Sequence, residues 1–419
     1  MNPKFKWKLC ILAGLTLACT SYAQPMEGVA APNLSSNIQK PTLASAVEGA
    51  WNRAVASAEA AGISRQATAE KKASNALWAA PPSVELSHRN DRLQSNNGAR
   101  ETEVALAVPL WLPGQKSAKQ QAADSLSSLS QLSETEGKLR VAEVVRELHW
   151  QIAELQANQS LSKQQTSTFA AIASDVDKRV QAGDLARADA LAAKGELLSA
   201  QAAQSQAETQ LEAAKRHWTS LTGLAQTPDA TLASVESPSP RQLAEHPELL
   251  RAEQQVDLAR KRVNLVAKSN RSAPELITKL RQDIPARGQG SAYSLGLAVR
   301  IPFGTDDRNA PLQAAALTEL EVAQSKEQVL RAQLHARMEN AKAAAEASQL
   351  QLQTEREKAS LLNERARLIR ASFNAGETSL PELLRAASAA AQAAYSAARQ
   401  EAAFGLSRAR LQQAYGQLP

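Results

Sequence analysis

One phrase occurs twice in the chain, as VQAGDLARADALAAK at Val180–Lys194 and as FNAGETSLPELLRAA at Phe373–Ala387, 193 residues further on. Each copy interrupts a long helical pattern with alanine, glycine and an acidic residue. Glycine can adopt the positive φ that ends a helix, and an acid favours the positive end of the helix that follows. The phrase therefore predicts a turn between two helices, centred on Gly183 and Gly376. The alternative is that each glycine only kinks one continuous helix.

The repeated phrase belongs to a longer internal duplication. Three further landmarks recur in the same order and at almost the same offset, which is the signature of a repeated unit. They are Ala76–Leu86 with Ser269–Ile277, Leu106–Gly114 with Leu297–Gly304, and Leu221–Leu224 with Ala414–Gln417. We predict a first repeat over residues 41–224 and a second over 241–419, joined by a Pro- and Ser-rich linker at 225–240.

The first residues have the pattern of an export signal. Three lysines lie among the first eight residues, the apolar run Leu9–Cys19 follows, and SYA precedes Gln24. This layout predicts a secretory signal peptide over residues 1–23, followed by an extended segment at 24–40. The alternative is that Cys19 becomes a lipid-modified N-terminus. Because the two cysteines, Cys10 and Cys19, both precede Gln24, the exported chain is predicted to contain no disulfide.

The composition argues against a wide globular core. Aromatic residues make up 4% of the 419 residues, and alanine-rich charged stretches are long. Alanine permits close helix-to-helix contact, so narrow helical assemblies fit better. Removal of the predicted signal peptide lowers the formal net charge from +6 to +3. That charge is small and dispersed, which argues against nucleic-acid binding.

Each repeat has the same order of predicted elements. A helical segment ends near a proline, two short alternating segments follow, and a very long helical arm then runs to the glycine turn. The arms Lys116–Ala182 and Asn309–Ala375 each contain 67 residues, which corresponds to about 100 Å of α-helix. A second arm, Asp184–Thr222 in the first repeat, returns from the turn. The predicted unit is a long helical hairpin.

The alternating segments predict two β-hairpins, at about 83–112 and about 275–303. Every second residue of the more apolar strand in each hairpin is large and apolar. The candidate lipid-facing residues are Val104, Leu106, Val108, Leu110, Leu295, Leu297, Val299 and Ile301. A tilted membrane strand and a half-buried soluble strand share this period, so both interpretations remain open. Four strands cannot close a membrane barrel alone, so a barrel requires several chains.

These landmarks resemble the TolC family of outer-membrane channels over nearly all of the predicted mature chain. HPELLRAEQQVDLARKRV at His246–Val263 is similar to the family's opening of the second half, and both glycine–acid phrases are similar to its periplasmic tips. PLWLPGQKSA at Pro109–Ala118 is similar to the strand exit of the heavy-metal branch. The resemblance implies a mainly α fold with a membrane β-barrel portion, in which three duplicated protomers share a helical tunnel and a 12-stranded barrel.

The resemblance also implies a location and partners. It implies an exit duct in the bacterial outer membrane with its helical tunnel in the periplasm, exporting heavy-metal cations. The expected partners are two further copies in a homotrimer, outer-membrane lipid, a periplasmic adaptor (membrane fusion protein) and an inner-membrane resistance-nodulation-division pump. The adaptor would contact the residues of the two tips, which are Gly183, Asp184, Leu185, Gly376, Glu377 and Thr378.

An acidic residue follows each tip glycine by six positions, as Asp189 and Glu382. The resemblance implies that these acids form carboxylate rings at a pore gate, where they would attract cations. Two alternatives remain open. A lone acid on a helix is commonly solvated, and Ser379–Glu382 also fits the S-x-x-E capping box. The sequence departs from the family at Arg385, where some members carry a second acid.

No enzyme signature is present. The five histidines form no close pair with metal-ligand spacing, and the chain contains no nucleophile or phosphate-loop motif. We therefore expect no catalytic residue, no cofactor and no metal site. A drug-exporting or type I protein-secretion channel of the same family is an alternative function. A periplasmic coiled-coil scaffold or adaptor is an alternative of another class, and it leaves the two β-hairpins unexplained.

Overall fold

The computed structural model describes residues 41–230, 243–303 and 306–419. The predicted signal peptide, the segment at 24–40 and most of the predicted linker lie outside these ranges. Within them the chain is mainly helical, with one four-stranded sheet. The elements, in chain order, are α1 (Leu43–Trp51), α2 (Val55–Ser74), β1 (Ser83–Asn90), β2 (Arg100–Pro109), α3 (Gln115–Gln181), α4 (Arg187–Thr222), a 3₁₀ turn (Leu243–Glu245), α5 (Pro247–Lys268), β3 (Glu275–Ile284), β4 (Ala292–Arg300), α6 (Asp306–Asn374) and α7 (Leu380–Ala414).

The two halves share one order of elements, which confirms the predicted duplicated fold class. In each half a β-hairpin is followed by a very long helix, a short turn and a shorter helix. Helix α3 has 67 residues and α6 has 69. Each long helix packs beside the helix that follows it. In the first hairpin, Thr166 of α3 donates a hydrogen bond to the carbonyl of Ala200 in α4, 3.2 Å away.

Small residues at heptad spacing allow this close helix pairing. The face of α4 that packs on α3 contains buried Ala193, Ala200, Ala207 and Ala214. Successive members of this row are seven residues apart, the spacing that keeps a seam aligned along a pair of supercoiled helices. Trp218, which is fully buried, ends the row and donates through Nε1 to the carbonyl of Gln226 at 3.1 Å.

Helix α3 is the central element of the helical region, because it contacts α1, α2, α4, α5 and α7. Its N-terminal half is joined to the second repeat by buried polar contacts. Ser125 donates to the Asp257 carboxylate of α5 at 2.8 Å, and Gln254 donates to the Ser125 hydroxyl at 2.8 Å. The two repeats therefore pack through specific hydrogen bonds as well as apolar contacts.

The sheet is an antiparallel meander in the order β1-β2-β3-β4. The two hairpins join through β2 and β3, where Arg100 pairs with Ile284 and Pro109 with Glu275. Strands β1 and β4 are the two edges of this sheet. The loops of the two hairpins also meet, since the N–H of Arg287 donates to the carbonyl of Asn97 at 2.9 Å.

The first helical segment differs from the single helix predicted from the sequence. It divides into α1 and α2 at residues 52–54, around Arg53. Its Nη1 donates to the carbonyl of Gly49 at 2.8 Å and to that of Thr222 at 3.1 Å. These bonds anchor the break to the C-terminal end of α4, a contact that the local sequence does not encode.

Candidate functional site

The first predicted turn adopts the expected glycine geometry. Gly183 has φ of 88°, and its N–H donates to the carbonyl of Val180 at 3.1 Å, while the N–H of Asp184 donates to that of Arg179 at 2.8 Å. These two bonds form a Schellman motif, which satisfies the last carbonyls of α3. The helix ends at Gln181, so the glycine terminates α3 and does not kink it.

The second turn repeats the same motif. Gly376 has φ of 82°, its N–H donates to the carbonyl of Phe373 at 3.0 Å, and the N–H of Glu377 donates to that of Ser372 at 3.0 Å. Thr378 adds a 2.6 Å hydrogen bond to the Ser372 hydroxyl. A Cβ built on either tip glycine would meet no atom within 4 Å. A larger residue at either position is therefore disfavoured by the positive φ and not by contact with neighbouring atoms.

The two tips pack against each other within one chain. A cluster of buried side chains from both hairpins lies directly behind the turns: Phe169, Ile172, Val176, Ala193, Ala200, Phe373, Leu380, Leu383 and Leu384. Leu185 of the first turn packs on its margin, whereas Asp184 and Glu377 are exposed. Among the predicted tip residues, Leu185 and Thr378 are thus partly buried, whereas the two acids are exposed.

The side chain of Arg179 joins the two helical hairpins next to their turns. The guanidinium carbon of Arg179 lies 4.7 Å from the ring centroid of Phe373, and Nη1 donates to the Phe373 carbonyl at 3.2 Å. Nε of Arg179 also pairs with Asp175, one turn earlier on α3, at 3.0 Å. Sequence reasoning missed this contact, because Arg179 and Phe373 come from different repeats.

Asp189 lies at the start of α4 and caps that helix. Its Oδ2 accepts a hydrogen bond from the N–H of Ala186 at 3.2 Å, which satisfies a donor that the helix itself leaves free. The side chain is half-buried. This local contact accounts for an acid at this position, and it leaves one carboxylate oxygen for other interactions.

Glu382 is held differently. Ser379 occupies the N-cap position of α7, but its side chain makes no capping hydrogen bond, so the S-x-x-E capping box is not formed. Glu382 instead lies 3.9 Å from Nη2 of Arg365 on α6. Both groups are about half exposed, so this ion pair is weak. Arg385 donates through Nε to the carbonyl of Pro381 at 3.2 Å and contacts neither tip acid in the described residues.

The sheet has one apolar face. Strand pairing aligns predicted apolar residues with apolar residues of the neighbouring strands, so that Leu86, Val104, Leu280 and Leu295 lie side by side. Leu295, Leu297 and Val299 are each more than 60% exposed, whereas Ala105, on the opposite face of β2, is buried. Exposed large aliphatic side chains on all four neighbouring strands form an unusual surface for a chain without a partner.

Two of the predicted apolar residues lie outside the strands. β2 ends at Pro109 and β4 at Arg300, so Leu110 and Ile301 each follow a strand by one residue. Proline has no N–H, and Pro109 and Pro302 both lie at the same end of the sheet, where β2 and β4 end. Leu110 still donates its N–H to the carbonyl of Pro274 at 2.7 Å, which extends the pairing by one bond.

The opposite face of the sheet is charged. Lys279 pairs with Glu103 at 2.8 Å, Arg281 with Glu101 at 3.2 Å, and Arg300 with Glu275 at 2.8 Å. These pairs link neighbouring strands β2, β3 and β4. One face therefore carries aliphatic side chains and the other carries a ladder of ion pairs. This is the alternation expected of a strand with lipid on one side and water on the other.

Polar groups border the apolar face on its loop side. His88, Thr102, Gln282 and Tyr293 form one row across the four strands. Nδ1 of His88 lies 3.0 Å from the Thr102 hydroxyl, and Nε2 of Gln282 donates to the Tyr293 hydroxyl at 3.0 Å. At the other end of the strands lie the aromatic side chains Trp78, Trp111 and Phe303.

Two buried polar residues, Arg146 and His149, lie on α3, far from the tips in sequence. Arg146 is 2% exposed and donates to Gln413 Oε1 at 2.5 Å and to the Gln417 carbonyl at 2.7 Å. Burial lowers its pKa to about 10, although the nearby Glu143 opposes this shift. Burial also lowers the pKa of His149 to about 4. His149 packs edge-on to Trp150, with ring centroids 5.6 Å apart.

Two further observations concern the residues that the structure describes. Among them, no helix is both long and apolar enough to cross a membrane. Within the same ranges, no group of three or more His, Cys, Asp or Glu side chains is arranged to hold a metal ion.

Comparison with known proteins gives a fold but no close relative. No model of a protein family matches the sequence, and no curated protein matches it. Several solved structures do match over most of their length. The outer membrane protein VceC of Vibrio cholerae is 16% identical, with a TM-score of 0.69 over 90% of this chain and 96% of that chain.

Two other solved channels show the same likeness. CusC, studied for its folding and transmembrane channel formation, is 14% identical, with a TM-score of 0.74 over 90% of this chain and 92% of that chain. The MtrE outer membrane channel of Neisseria gonorrhoeae is 15% identical, with a TM-score of 0.72 over 90% and 89%. This chain has the fold of these outer-membrane channels, as the TolC-family resemblance predicted.

Proposed function

We propose that the chain is the outer-membrane exit duct of a tripartite efflux pump. One observation carries this proposal. The sheet has an exposed aliphatic face and an ion-paired opposite face, and each of its two β-hairpins is followed by a long helical hairpin with a glycine turn at its tip. VceC and MtrE, whose fold the chain shares, are outer-membrane proteins. A periplasmic scaffold would require the helices but not this sheet.

The proposed assembly is a homotrimer. Strands β1 and β4 are sheet edges, and exposed edges invite pairing with another chain. Membrane barrels have about eight or more strands, so four strands require further copies. Three copies would give 12 strands when β4 of one chain pairs with β1 of the next, and the aliphatic faces would then surround the barrel.

The apolar face fits the thickness of a bilayer. From Tyr293 to Phe303 an extended chain covers about 33 Å, and a strand tilt of about 40° reduces this to about 25 Å of membrane depth. The row of His88 and Tyr293 would then lie at one interface. Trp78, Trp111 and Phe303 would lie at the other, in keeping with the aromatic girdles of membrane barrels.

The long helices would extend into the periplasm and carry the docking surface at their tips. Helix α3 alone would reach about 100 Å. The proposed adaptor contacts are the exposed residues around Gly183 and Gly376, supported by Leu185 and Thr378. The adaptor would connect the tips to an inner-membrane resistance-nodulation-division pump, which supplies the energy, so the duct itself is passive.

Asp189 and Glu382 are the proposed gate residues. In a trimer they would provide up to six carboxylates near the tunnel mouth, where they would attract cations. Because Asp189 also caps α4, the variant Asp189→Asn separates the two roles, since its amide oxygen can still accept the bond from Ala186. Asp189→Asn with Glu382→Gln should reduce the cation selectivity of single channels. An unchanged cation preference would place the gate elsewhere.

Heavy-metal cations are the proposed cargo. The support is the PLWLPGQKSA motif at Pro109–Ala118 together with the carboxylates proposed for the gate. Deletion of the gene from its host should raise sensitivity to heavy-metal cations and leave sensitivity to drugs unchanged. The reverse outcome would favour the drug-exporting alternative.

Membrane fractionation tests the proposed location and assembly. The chain should be extracted from outer membranes by detergent only, and should run on gels as a heat-sensitive oligomer of three copies. Recovery of the chain from the soluble periplasmic fraction, without heat-sensitive migration, would favour the scaffold alternative.

A further inference from the structure

In the part of the chain that the structure describes, α4 packs along one side on α3 and α6 along one side on α7, and each exposes large apolar side chains elsewhere on its surface. Helix α3 packs against both α4 and α7, and α7 packs against α6. The four helices thus follow the order α4, α3, α7, α6, with α4 and α6 outermost. In a ring of copies, the outer helix of one chain must meet the outer helix of the next.

Both outer helices expose leucines near the tips. On α4, Leu191 is 64% exposed and Leu198 is 57% exposed, and on α6, Leu361 is 61% exposed and Leu368 is 59% exposed. The two leucines of each helix are seven residues apart, which on α4 is also the spacing of the buried row that faces α3. Each pair therefore keeps a constant position around its helix, away from the intramolecular seam.

The leucines of the two helices lie at matching distances from the tips. Leu191 and Leu198 come eight and fifteen residues after Gly183, while Leu368 and Leu361 come eight and fifteen residues before Gly376. Helix α4 runs away from its turn and α6 runs toward its turn, so the two are antiparallel when the tips are level. By this count Leu191 would face Leu368, and Leu198 would face Leu361.

Two charged residues that lie between the leucines, one on each helix, are compatible with this contact. Lys194 lies eleven residues after Gly183, and Glu364 lies twelve residues before Gly376. In the part of the chain that the structure describes, Lys194 forms no ion pair, and Glu364 approaches only Arg367 of its own helix, at 3.9 Å. These charges would face each other between the two leucine pairs.

We infer that α4 of one copy packs against α6 of the next copy through the pairs Leu191–Leu368 and Leu198–Leu361. The inference rests on the proposed trimer and adds its helical interface. The contact is heterologous, so three identical seams close a ring. It covers apolar side chains that are otherwise exposed to water, which is why a second copy is the occupant assigned to this face.

Cysteine pairs test the seam directly. In separate variants, Leu198→Cys is combined with Leu361→Cys, and Leu191→Cys with Leu368→Cys, and intact membranes are oxidised before denaturing electrophoresis. The matched control combines Leu198→Cys with Leu350→Cys, another exposed α6 leucine. Leu350 lies eleven residues further from the tip than Leu361, about 16 Å along the helix, beyond disulfide reach. Single-cysteine variants control for Cys10 and Cys19.

The level pairs should yield reducible covalent trimers, and the mismatched pair and single variants should remain monomeric. In parallel, an amine-reactive cross-linker reports trimers of every variant without using the seam. Trimers by that reagent without disulfide-linked trimers, or a disulfide within one chain only, would overturn the seam and leave the proposed function intact. Loss of trimers in the unsubstituted chain would contradict the proposed function, and the seam with it.

Discussion

The guanidinium of Arg179, on the first hairpin, lies 4.7 Å from the ring centroid of Phe373 on the second and donates to the carbonyl of the same residue. These residues precede the two tip glycines by four and three positions. The contact therefore joins the hairpins immediately behind their turns. Relative movement of the two tips must lengthen or break it.

A double-mutant cycle measures this contact. Arg179→Gln and Phe373→Leu should each lower the thermal stability of the assembly, and the coupling free energy should be about 0.5–1 kcal/mol, the usual range for a partly exposed cation–π pair. The carbonyl bond is retained in Phe373→Leu, so the cycle isolates the ring. Arg187→Gln, at an exposed arginine of α4, is the control and should change neither stability nor coupling. Additive effects of the two changes would show that the ring contact contributes nothing.

The tip glycines provide a second prediction. Gly183→Ala should destabilise the hairpin by about 1–2 kcal/mol, because an alanine must adopt a left-handed angle there. The same change at Gly195, within α4 and with open space around it, should stabilise the helix by up to about 1 kcal/mol. Thermal melting by circular dichroism gives the comparison. Equal responses at the two positions would mean that the left-handed turn is absent.

Such turns were predictable because the positive φ of Gly183 and Gly376 is a local property of a few residues. The alternating strands were predictable for the same reason, apart from their ends, where Pro109 and Pro302 stop the ladder one residue early. The break at Arg53 was not predictable, because its bonds reach Thr222 at the far end of another helix. Long-range contacts of this kind have no local pattern.

In the candidate site as well, the sequence predicts local features better than contacts between distant residues. A capping box is a local motif, and the sequence left it open as one interpretation of Ser379–Glu382, but the structure does not form it there. The N3 acid that caps is Asp189, which accepts from the N–H of Ala186, a residue that has no capping side chain of its own. The pairing of Arg179 with Phe373 depends on the packing of two repeats, and no single stretch of sequence contains it.

The two-faced sheet gives a third prediction. Leu297→Arg should impair membrane insertion by about 2–4 kcal/mol, because it places a charge in the lipid near the bilayer centre. Ala298→Arg adds the same charge to the opposite face, near Glu275, and should insert almost normally, as should Ala298→Ser. The fraction of heat-sensitive trimer in outer membranes measures insertion. Similar losses for the two arginine variants would show that the faces are assigned wrongly.

His149 predicts a specific dependence of stability on pH. Its pKa is lowered to about 4 in the folded chain by burial, against about 6.5 when unfolded. The unfolded chain therefore binds a proton more readily, and the contribution present above pH 6.5 is lost as the pH falls toward 4. Between pH 7 and pH 5 this loss is about 2 kcal/mol.

The variant His149→Gln should remove that part of the pH dependence. Its unfolding free energy should fall less between pH 7 and pH 5 than that of the unsubstituted chain. His217→Gln, at an exposed histidine of α4, should follow the unsubstituted chain closely. If His149→Gln and the unsubstituted chain lose stability in parallel, the histidine is solvated and not buried.

Single-channel recording tests the central claim most directly. The purified chain, added to planar lipid bilayers, should insert as a trimer and produce discrete cation-selective conductance steps. Leu297→Arg should reduce the number of insertions, whereas Arg179→Gln should leave insertion unchanged and raise the fraction of time spent open. A purified, folded trimer that never produces conductance steps in bilayers would contradict the account of this chain as an outer-membrane duct.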